Sequence, residues 1–341
     1  METWPLFVVI ILGLALIAVL VIAANMLVKK LVGIAAYFNL SSTFMGMTVV
    51  SLATSIPEIT AHITASAKIL GGTLDFQIGS AIVLGSNIGS DVVQQTFILG
   101  LVVLLTGVMH FRRYFMWKSM VPMIAASALC ILLGLDRVYS RWDGIILFGC
   151  FILYSLYLYL DERKFYQAED NVPMSEEISD SIPKTKKQVG QDSLISVALL
   201  AITVLAASQV LRITEMVVNQ TNISGSLLGV ITLGLASAMP ELSTALAGVR
   251  NKEIGISLGT LIGSNITNPL VGIGIGALIS EYAVPRPLLL WDLPWATLTG
   301  ILLWIILWAR KGKLGKMESI YLMVMYFIFI GMRAFLFPVD F

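Results

Sequence analysis

Two similar stretches of sequence decide the fold: GMTVVSLATSIPE at 46–58 and GVITLGLASAMPE at 229–241. Each opens with Gly, runs through apolar residues to Leu-Ala and a hydroxyl residue, and ends in Pro-Glu. A second motif follows each of them, AIVLGSNIGSD at 81–91 and GTLIGSNITNP at 259–269. The two motifs recur in the same order, 183 and 178 residues apart. The chain therefore contains an internal repeat.

The composition around the motifs is typical of a membrane protein. Of 341 residues, 57% are hydrophobic and 13% are charged, with a mean hydropathy of +0.88. A soluble domain carries roughly a quarter charged residues. A bilayer core of about 30 Å needs about 20 apolar residues per helix, and windows of that length predict ten spans. These cover 5–28, 43–67, 77–107, 119–135, 143–160, 193–212, 225–248, 254–280, 288–309 and 318–337. The first is longer than the apolar region of a signal peptide, so we expect it to be retained.

Residues 161–192 divide the ten spans into two groups of five. This segment mixes both charges with prolines, which predicts a linker between a first half, 1–160, and a second half, 193–341. Because five is odd, related segments cross the bilayer in opposite directions. The predicted fold class is an all-α polytopic membrane protein whose ten transmembrane helices form two inverted five-helix repeats.

The distribution of basic residues predicts the orientation. Sixteen Lys and Arg fall in the odd-numbered connections, and five fall in the even-numbered connections and termini. Cytoplasmic loops carry an excess of Lys and Arg. We therefore expect both termini outside and the 161–192 loop in the cytoplasm, in a prokaryotic cell membrane.

Three acidic residues lie well inside predicted spans: Glu58, Asp91 and Glu241. A charge at the centre of a membrane helix costs at least about 2.5 to 3.5 kcal/mol, so such a residue indicates a functional site. Pro57 and Pro240 precede the repeat-related glutamates and remove a helical hydrogen bond. We expect this to free backbone carbonyls near Ser51, Ala53, Gly234 and Ala236.

Opened backbone, hydroxyls and carboxylates form an oxygen-only ligand set, which suits hard cations such as calcium or sodium. The adjacent hydroxyls belong to Thr54, Ser55 and Ser237. Two glutamates match the charge of one divalent ion or two monovalent ions. On a helix, Ser86 and Ser90 face the same way, as do Ser264 and Asn268, so each second motif can present two more oxygens.

Two further polar residues have more than one interpretation. Asp91 points roughly 100° away from the Ser86 and Ser90 stripe on an ideal helix. It lies at the edge of the site, binds a proton, is itself a ligand, or pairs with Gln94 or Gln95. His62, one turn after Glu58, takes a proton or is structural.

At these residues the chain resembles the calcium/cation antiporter superfamily, and most of all its prokaryotic sodium/calcium exchanger branch. The family signatures, Gly-Thr-Ser-apolar-Pro-Glu and Gly-Ser-Asn-apolar-x-Asn/Asp, are represented by LATSIPE, LASAMPE, GSNIGSD and GSNITNP. The resemblance implies that spans two, three, seven and eight surround cation subsites while spans one and six slide across them. It implies ligands at Thr54, Ser55, Glu58, Ser86, Ser90, Ser237, Ala238, Glu241, Ser264 and Asn268, with the carbonyls of Ser51 and Gly234.

The chain departs from the family pattern at three positions. Ser90 and Asn268 stand where this branch commonly has Asn and Asp, and Ala238 stands where a hydroxyl residue is usual. A third central carboxylate is thus missing unless Asp91 replaces it. A site with two negative charges holds one calcium ion neutrally, whereas three sodium ions would leave a charge uncompensated in a low dielectric.

The resulting hypothesis is a secondary active antiporter that exchanges calcium for sodium by alternating access. A calcium/proton or other divalent-cation exchanger is the alternative, and a cation channel is the rival from another class. No enzyme is expected, because His-Glu-x-x-His and an Asp-rich pair of metal-binding acids are missing. We expect no cofactor, with calcium and sodium as transported ions and protons as a further candidate. The expected partners are inorganic cations and the lipid bilayer. The net charge of +1 excludes a polybasic nucleic-acid binder, and the sequence leaves monomer or homo-oligomer open.

Overall fold

The computed structural model describes residues 5–37, 45–111, 113–165, 182–221, 223–250 and 254–341. Ten helices, α1 to α10, follow the chain, and several consist of consecutive segments. In the first half they are α1, Leu6–Ala36; α2, Met45–Val50, Ser51–Thr54 and Ile56–Leu70; α3, Phe76–Val93, Gln94–Ile98 and Leu99–Thr106; α4, Arg113–Phe115, Met116–Met120 and Val121–Leu133; and α5, Arg141–Phe165. In the second half they are α6, Lys186–Thr221; α7, Gly225–Leu228, Gly229–Leu233, Gly234–Ser237 and Met239–Arg250; α8, Ile254–Thr267, Asn268–Ile273 and Gly274–Ile279; α9, Leu288–Asp292 and Leu293–Ala309; and α10, Lys316–Leu336.

The helices confirm the predicted all-α membrane fold. Within the described residues, nine helical stretches are long and apolar enough to cross a bilayer, and they belong to α1 and to α3 through α10. The remaining predicted span, 43–67, corresponds to α2, which is interrupted at Ser55. Residues 38–44, where that span was expected to begin, lie outside the described residues.

Helices α5 and α6 extend beyond the boundaries expected from hydropathy. Helix α5 continues to Phe165, and α6 runs from Lys186 to Thr221 where 193–212 was predicted. Polar residues continue a helix past its apolar window when backbone hydrogen bonds remain available, and hydropathy does not detect this. The middle of the predicted linker, 166–181, lies outside the described residues.

Wide π-helical turns mark the two halves as related. Six of them occur in the described residues, in three repeat-related pairs. The pairs are Met45–Val50 with Gly229–Leu233, Gln94–Ile98 with Asn268–Ile273, and Met116–Met120 with Leu288–Asp292. A π-turn inserts a residue into a helix, rotates the side chains that follow it, and often occurs at functional sites.

Four short strands repeat the same symmetry at the ends of the helices. They are β1, Met109–His110; β2, Val138–Tyr139; β3, Tyr282–Ala283; and β4, Lys313–Leu314. Strand β1 pairs antiparallel with β4, and β2 pairs antiparallel with β3. Strand β1 follows α3 as β3 follows α8, and β2 precedes α5 as β4 precedes α10. The two pairs are thus copies of one arrangement, as an inverted repeat requires.

Helices α2, α3, α7 and α8 form the centre of the bundle, with α3 against α7 and α8 against α2. Both crossings depend on glycine. A Cβ at Gly85 of α3 would lie 2.8 Å from the Ser226 Cα of α7, and one at its repeat mate Gly263 would lie 2.8 Å from Ser51 Cβ of α2. Helices α1 and α6 pack along each other outside this centre.

We expect Gly85→Ala to destabilise the protein by about 1 to 3 kcal/mol, because the new methyl group meets the Ser226 backbone, which cannot rotate away. Gly149→Ala in α5 is the matched control, since nothing lies within 4 Å of a Cβ there. Thermal unfolding of the detergent-purified variants measures the difference. Equal melting temperatures for the two variants would contradict the close packing of α3 on α7.

Candidate cation-binding site

Helices α2 and α7 are each interrupted at one residue in the middle of their length. Ser55 (φ −79°, ψ 3°) and Ala238 (φ −79°, ψ −1°) break the helices, which resume at Ile56 and Met239. Each new segment carries its glutamate, Glu58 or Glu241, in its first turn. The positive end of a helix dipole stabilises a carboxylate there. The breaks thus place one carboxylate from each half at the centre of the bundle.

The breaks free fewer carbonyls than predicted. Ser51 O accepts the Ser55 N–H at 3.0 Å and the Thr54 hydroxyl at 3.2 Å. Gly234 O accepts the Ala238 N–H at 3.3 Å and the Ser237 hydroxyl at 3.3 Å. The expectation that these two carbonyls are free is therefore wrong, because the residue at each break still reaches back four positions. A cation bound to either carbonyl would compete with a hydroxyl that now points at it.

The two glutamates are buried and poor in hydrogen bonds. Glu58 is 2% exposed and Glu241 is fully buried. Ser90 Oγ donates to Glu58 Oε1 at 2.9 Å. Among the described residues, Glu58 Oε2 and both carboxylate oxygens of Glu241 have no hydrogen-bond partner. Buried polar atoms are normally satisfied, so these three oxygens indicate a place for a cation.

Each half also brings a hydroxyl to the glutamate of the other half. Ser237 lies beside Glu58, and Thr54 lies beside Glu241. Both hydroxyls now donate to their own helix, so they can turn their lone pairs toward a cation only by giving up or sharing that bond. The site is thus assembled across the interface between the halves rather than within either one.

A cavity of about 30 Å³ reaches Glu58 from one side of the bundle, with room for a water-sized particle. Its polar wall is formed by Glu58, Ser86 and Ser237. Its remaining wall is apolar and belongs in large part to α1 and α6. These two helices contribute Ile17, Leu20, Ala207, Val210 and Leu211. The helices that pack outside the central four therefore cover the site.

The second motif of the second half faces α3 rather than Glu241. Ser264 Oγ lies in hydrogen-bond contact with Gln94 Oε1 and with Thr260 O, the latter at 2.8 Å. Asn268 Nδ2 donates to Asp91 Oδ1 at 2.9 Å, while its own Oδ1 has no partner among the described residues. The sequence therefore identified these two residues as candidate ligands, but it did not predict that Ser264 contacts Gln94 or that Asn268 contacts Asp91.

Asp91 lies inside this network, although it was expected to point away from the serine stripe. It is 2% exposed and close enough to Glu58 and Glu241 to interact with them electrostatically. The suggested pairing with Gln94 or Gln95 is wrong: Asp91 accepts from Asn268, and Gln95 donates to Ala296 O at 3.1 Å. A third acidic side chain is thus present at the centre, in the first half.

His62 belongs to a separate polar cluster behind the site. Its Nε2 lies 3.1 Å from Asn87 Nδ2, and its Nδ1 lies 3.1 Å from the Tyr282 hydroxyl. Ser66 Oγ contacts the same Tyr282 hydroxyl at 2.6 Å. The described residues contain no group of three or more His, Cys, Asp and Glu that could hold a metal ion. Any cation here would depend on hydroxyl and amide oxygens as much as on carboxylates.

Ten helices in two inverted repeats, with a carboxylate from each half at the midpoint, define a secondary cation antiporter. The sequence profile of the family described as sodium/calcium exchanger protein matches residues 6–160 and 193–335. The chain belongs to this family.

Curated relatives and solved structures agree with this assignment. The chain is 27% identical to the inner membrane protein YrbG of Escherichia coli, over 94% of this chain and 93% of the relative. It is 25% identical to the sodium/calcium exchanger MaX1 of Methanosarcina acetivorans, over 95% and 97%. Its fold matches a structure of the sodium-calcium exchanger NCX_Mj soaked with 10 mM Na⁺ and zero Ca²⁺. That match has a TM-score of 0.61 and 22% identity, and covers 94% of this chain and 98% of the other.

Proposed function

We propose that the protein exchanges calcium for sodium across a prokaryotic cell membrane by alternating access. The observation that carries the proposal is the pair of repeat-related glutamates, Glu58 and Glu241, buried at the two helix breaks with three oxygens lacking donors. Carboxylate, hydroxyl and carbonyl oxygens are the ligands that calcium and sodium prefer. The proposed ligands are the twelve residues Ser51, Thr54, Ser55, Glu58, Ser86, Ser90, Asp91, Gly234, Ser237, Glu241, Ser264 and Asn268.

Charge neutralisation would couple the two fluxes. An empty site exposes at least two carboxylates to a low dielectric, which is costly. Calcium, or sodium in its place, neutralises Glu58 and Glu241, and only the neutralised site can be covered by apolar side chains. A ligand shifts a conformational equilibrium only by its differential affinity for the two states. The energetic penalty on the empty site therefore enforces exchange and prevents leak.

Helices α1 and α6 supply the moving cover in this mechanism. Their side chains at the cavity are apolar, so they can slide across a neutral site without leaving a polar group unsatisfied. The cavity reaches Glu58 past Ala61 and Val83, on the side where α2 ends and α3 begins. From the expected orientation, with both termini outside and the 161–192 loop in the cytoplasm between halves 1–160 and 193–341, we infer that this end of the cavity faces the outside.

Reconstituted vesicles test the exchange directly. Vesicles loaded with calcium are expected to release it when external sodium is supplied and to retain it in choline medium. Release driven by external acid alone would indicate a calcium/proton exchanger instead. Calcium current without any counter-ion requirement would indicate a channel and contradict the proposal.

A further inference from the structure

A chain of amide and hydroxyl groups connects the second half of the protein to Glu58. Asn265 Nδ2 of α8 donates to Leu261 O at 2.7 Å and to Gln94 Oε1 at 3.0 Å. Gln94 Nε2 donates to Ser90 Oγ at 2.9 Å, and Ser90 Oγ donates to Glu58 Oε1 at 2.9 Å. Gln94 is fully buried. The sequence suggested it only as a partner of Asp91, not as a donor to Ser90.

The direction of this chain follows from its first member. A backbone carbonyl can only accept, so Asn265 must turn its NH₂ group toward Leu261 O. The other hydrogen of that NH₂ group then points at Gln94, which must present its oxygen to Asn265 and its NH₂ group to Ser90. Because Ser90 Oγ already accepts a hydrogen bond from Gln94, its own proton goes to Glu58. Each donation polarises the next group and strengthens its hydrogen bond.

Among the described residues, no such chain starts from the repeat-related position in the other half. Counting 178 residues on, Gln94 corresponds to Gly272, and the space beside Gly272 is taken by Asn87 and His62. Asn87 is the residue of the first half that corresponds to Asn265, and it donates to Asn268 O at 2.9 Å. Its amide nitrogen also faces His62, whose contacts continue to Tyr282 and away from the glutamates.

The two glutamates therefore differ in the hydrogen bonds that they accept. Glu58 accepts a hydrogen bond that is reinforced from Gln94, whereas Glu241 accepts none from the described residues. A cation at Glu58 must weaken or share the Ser90 hydrogen bond, and it finds one lone pair of Ser90 Oγ already used by Gln94. A cation at Glu241 meets no such chain of donors among the described residues; the neighbouring hydroxyl there is that of Thr54, which donates to Ser51 O.

We propose that Gln94 is a positioning residue that weakens cation binding at Glu58 relative to Glu241 by donating a hydrogen bond through Ser90. The inference rests on the proposed function, since it assigns unequal roles to the two halves of the same site. Sodium and calcium that need Glu58 would then bind last and leave first, which favours release of the cargo on either side of the membrane.

Calorimetric titration of the full-length protein with sodium, and separately with calcium, tests this inference. Gln94→Met keeps the length of the side chain and removes both hydrogen-bonding groups. It leaves Ser264 with Thr260 O and Asn265 with Leu261 O as acceptors. For sodium, we expect the weaker binding phase to tighten several-fold and the tighter phase to stay unchanged. For calcium, which needs both glutamates, we expect the single binding phase to tighten. An unchanged or weakened affinity in the weaker phase would overturn the inference.

Two comparisons distinguish a positioning role of the Gln94 side chain from a general effect of altered packing on cation binding. Gln95→Met changes the adjacent buried glutamine, which contacts Ala296 instead of the site, and should bind both ions as the wild type does. In a Ser90→Ala background, Gln94→Met should have no further effect, because the hydrogen bond acts through Ser90. A several-fold gain that persists without Ser90 would contradict the proposed route.

A second variant covers the case in which Gln94→Met does not fold. Asn265→Ala removes one of the two donors to Gln94 Oε1, the other being the Ser264 hydroxyl, and should therefore tighten the weaker phase by a smaller factor. Unchanged binding in Asn265→Ala would count against the inference. Failure of the wild type to bind or exchange either ion would overturn the proposed function itself, whereas normal wild-type exchange with unaltered variants would overturn only the role of Gln94.

Discussion

Calcium release driven by external sodium is expected to be lost in Glu58→Gln and in Glu241→Gln. Each substitution keeps the size of the side chain and removes one of the two repeat-related charges. The site then no longer neutralises a divalent ion. The lost attraction in a buried site exceeds about 1.4 kcal/mol, which corresponds to more than a tenfold loss of affinity. Calcium flux from loaded vesicles, measured with external sodium and with external choline, checks the result.

Glu281→Gln is the matched control for these variants, because Glu281 is exposed after the end of α8, outside the site. It should exchange as the wild type does. The two site variants should still unfold cooperatively, since Glu58 and Glu241 hold three oxygens without donors and removing such a charge relieves desolvation. Exchange at the wild-type rate in either site variant would remove both the mechanism and the assignment of the site.

The second large effect is expected at a buried ion pair that takes no part in the proposed transport. Arg333 of α10 and Asp292 of α9 are both fully buried, with Arg333 Nε 3.0 Å from Asp292 Oδ1. Arg333 also donates to the Ser226 hydroxyl of α7 and to Phe337 O. Asp292→Ala should destabilise the protein by about 3 to 5 kcal/mol, because it leaves the buried Arg333 charge with only the more distant Asp340 carboxylate, 4.0 Å from Nη2. Thermal unfolding in detergent measures this loss.

A double variant distinguishes the cost of an unpaired charge from lost packing. Asp292→Leu combined with Arg333→Met removes both charges, so it should recover much of the stability that either single variant loses. Arg310→Met serves as the control, since Arg310 pairs with Glu318 at 3.0 Å but its side chain is 60% exposed. It should change stability by less than about 1 kcal/mol. Equal losses of stability in Arg310→Met and Asp292→Ala would mean that burial does not determine how strongly an ion pair stabilises this protein.

The residues that sequence analysis selected were those whose significance is local. A glutamate after a proline inside an apolar span is unusual wherever its neighbours lie, and a repeated motif is visible without coordinates. Gln94 was considered only as a partner of Asp91, and its contact with Ser90 was missed for the opposite reason. It is an ordinary polar residue four positions after Ser90, and it becomes important only because Ser264 and Asn265 of the other half lie against it. The π-turn that begins at Gln94 also alters the helical rotation on which a sequence-based assignment of faces depends.

Hydropathy and the two repeated motifs by themselves determined the class of fold, the inverted repeat and the positions of the paired acids. These properties follow from the period of a helix and from the cost of charge in hydrocarbon, and both act within about twenty residues. Only the tertiary structure decided which groups share the space around each acid: that Asp91 accepts from Asn268, and that Ser90 points at Glu58 while Glu241 has no donor among the described residues. Those contacts join residues 32 and 177 positions apart in sequence, where small differences in packing and helical phase determine hydrogen-bond partners.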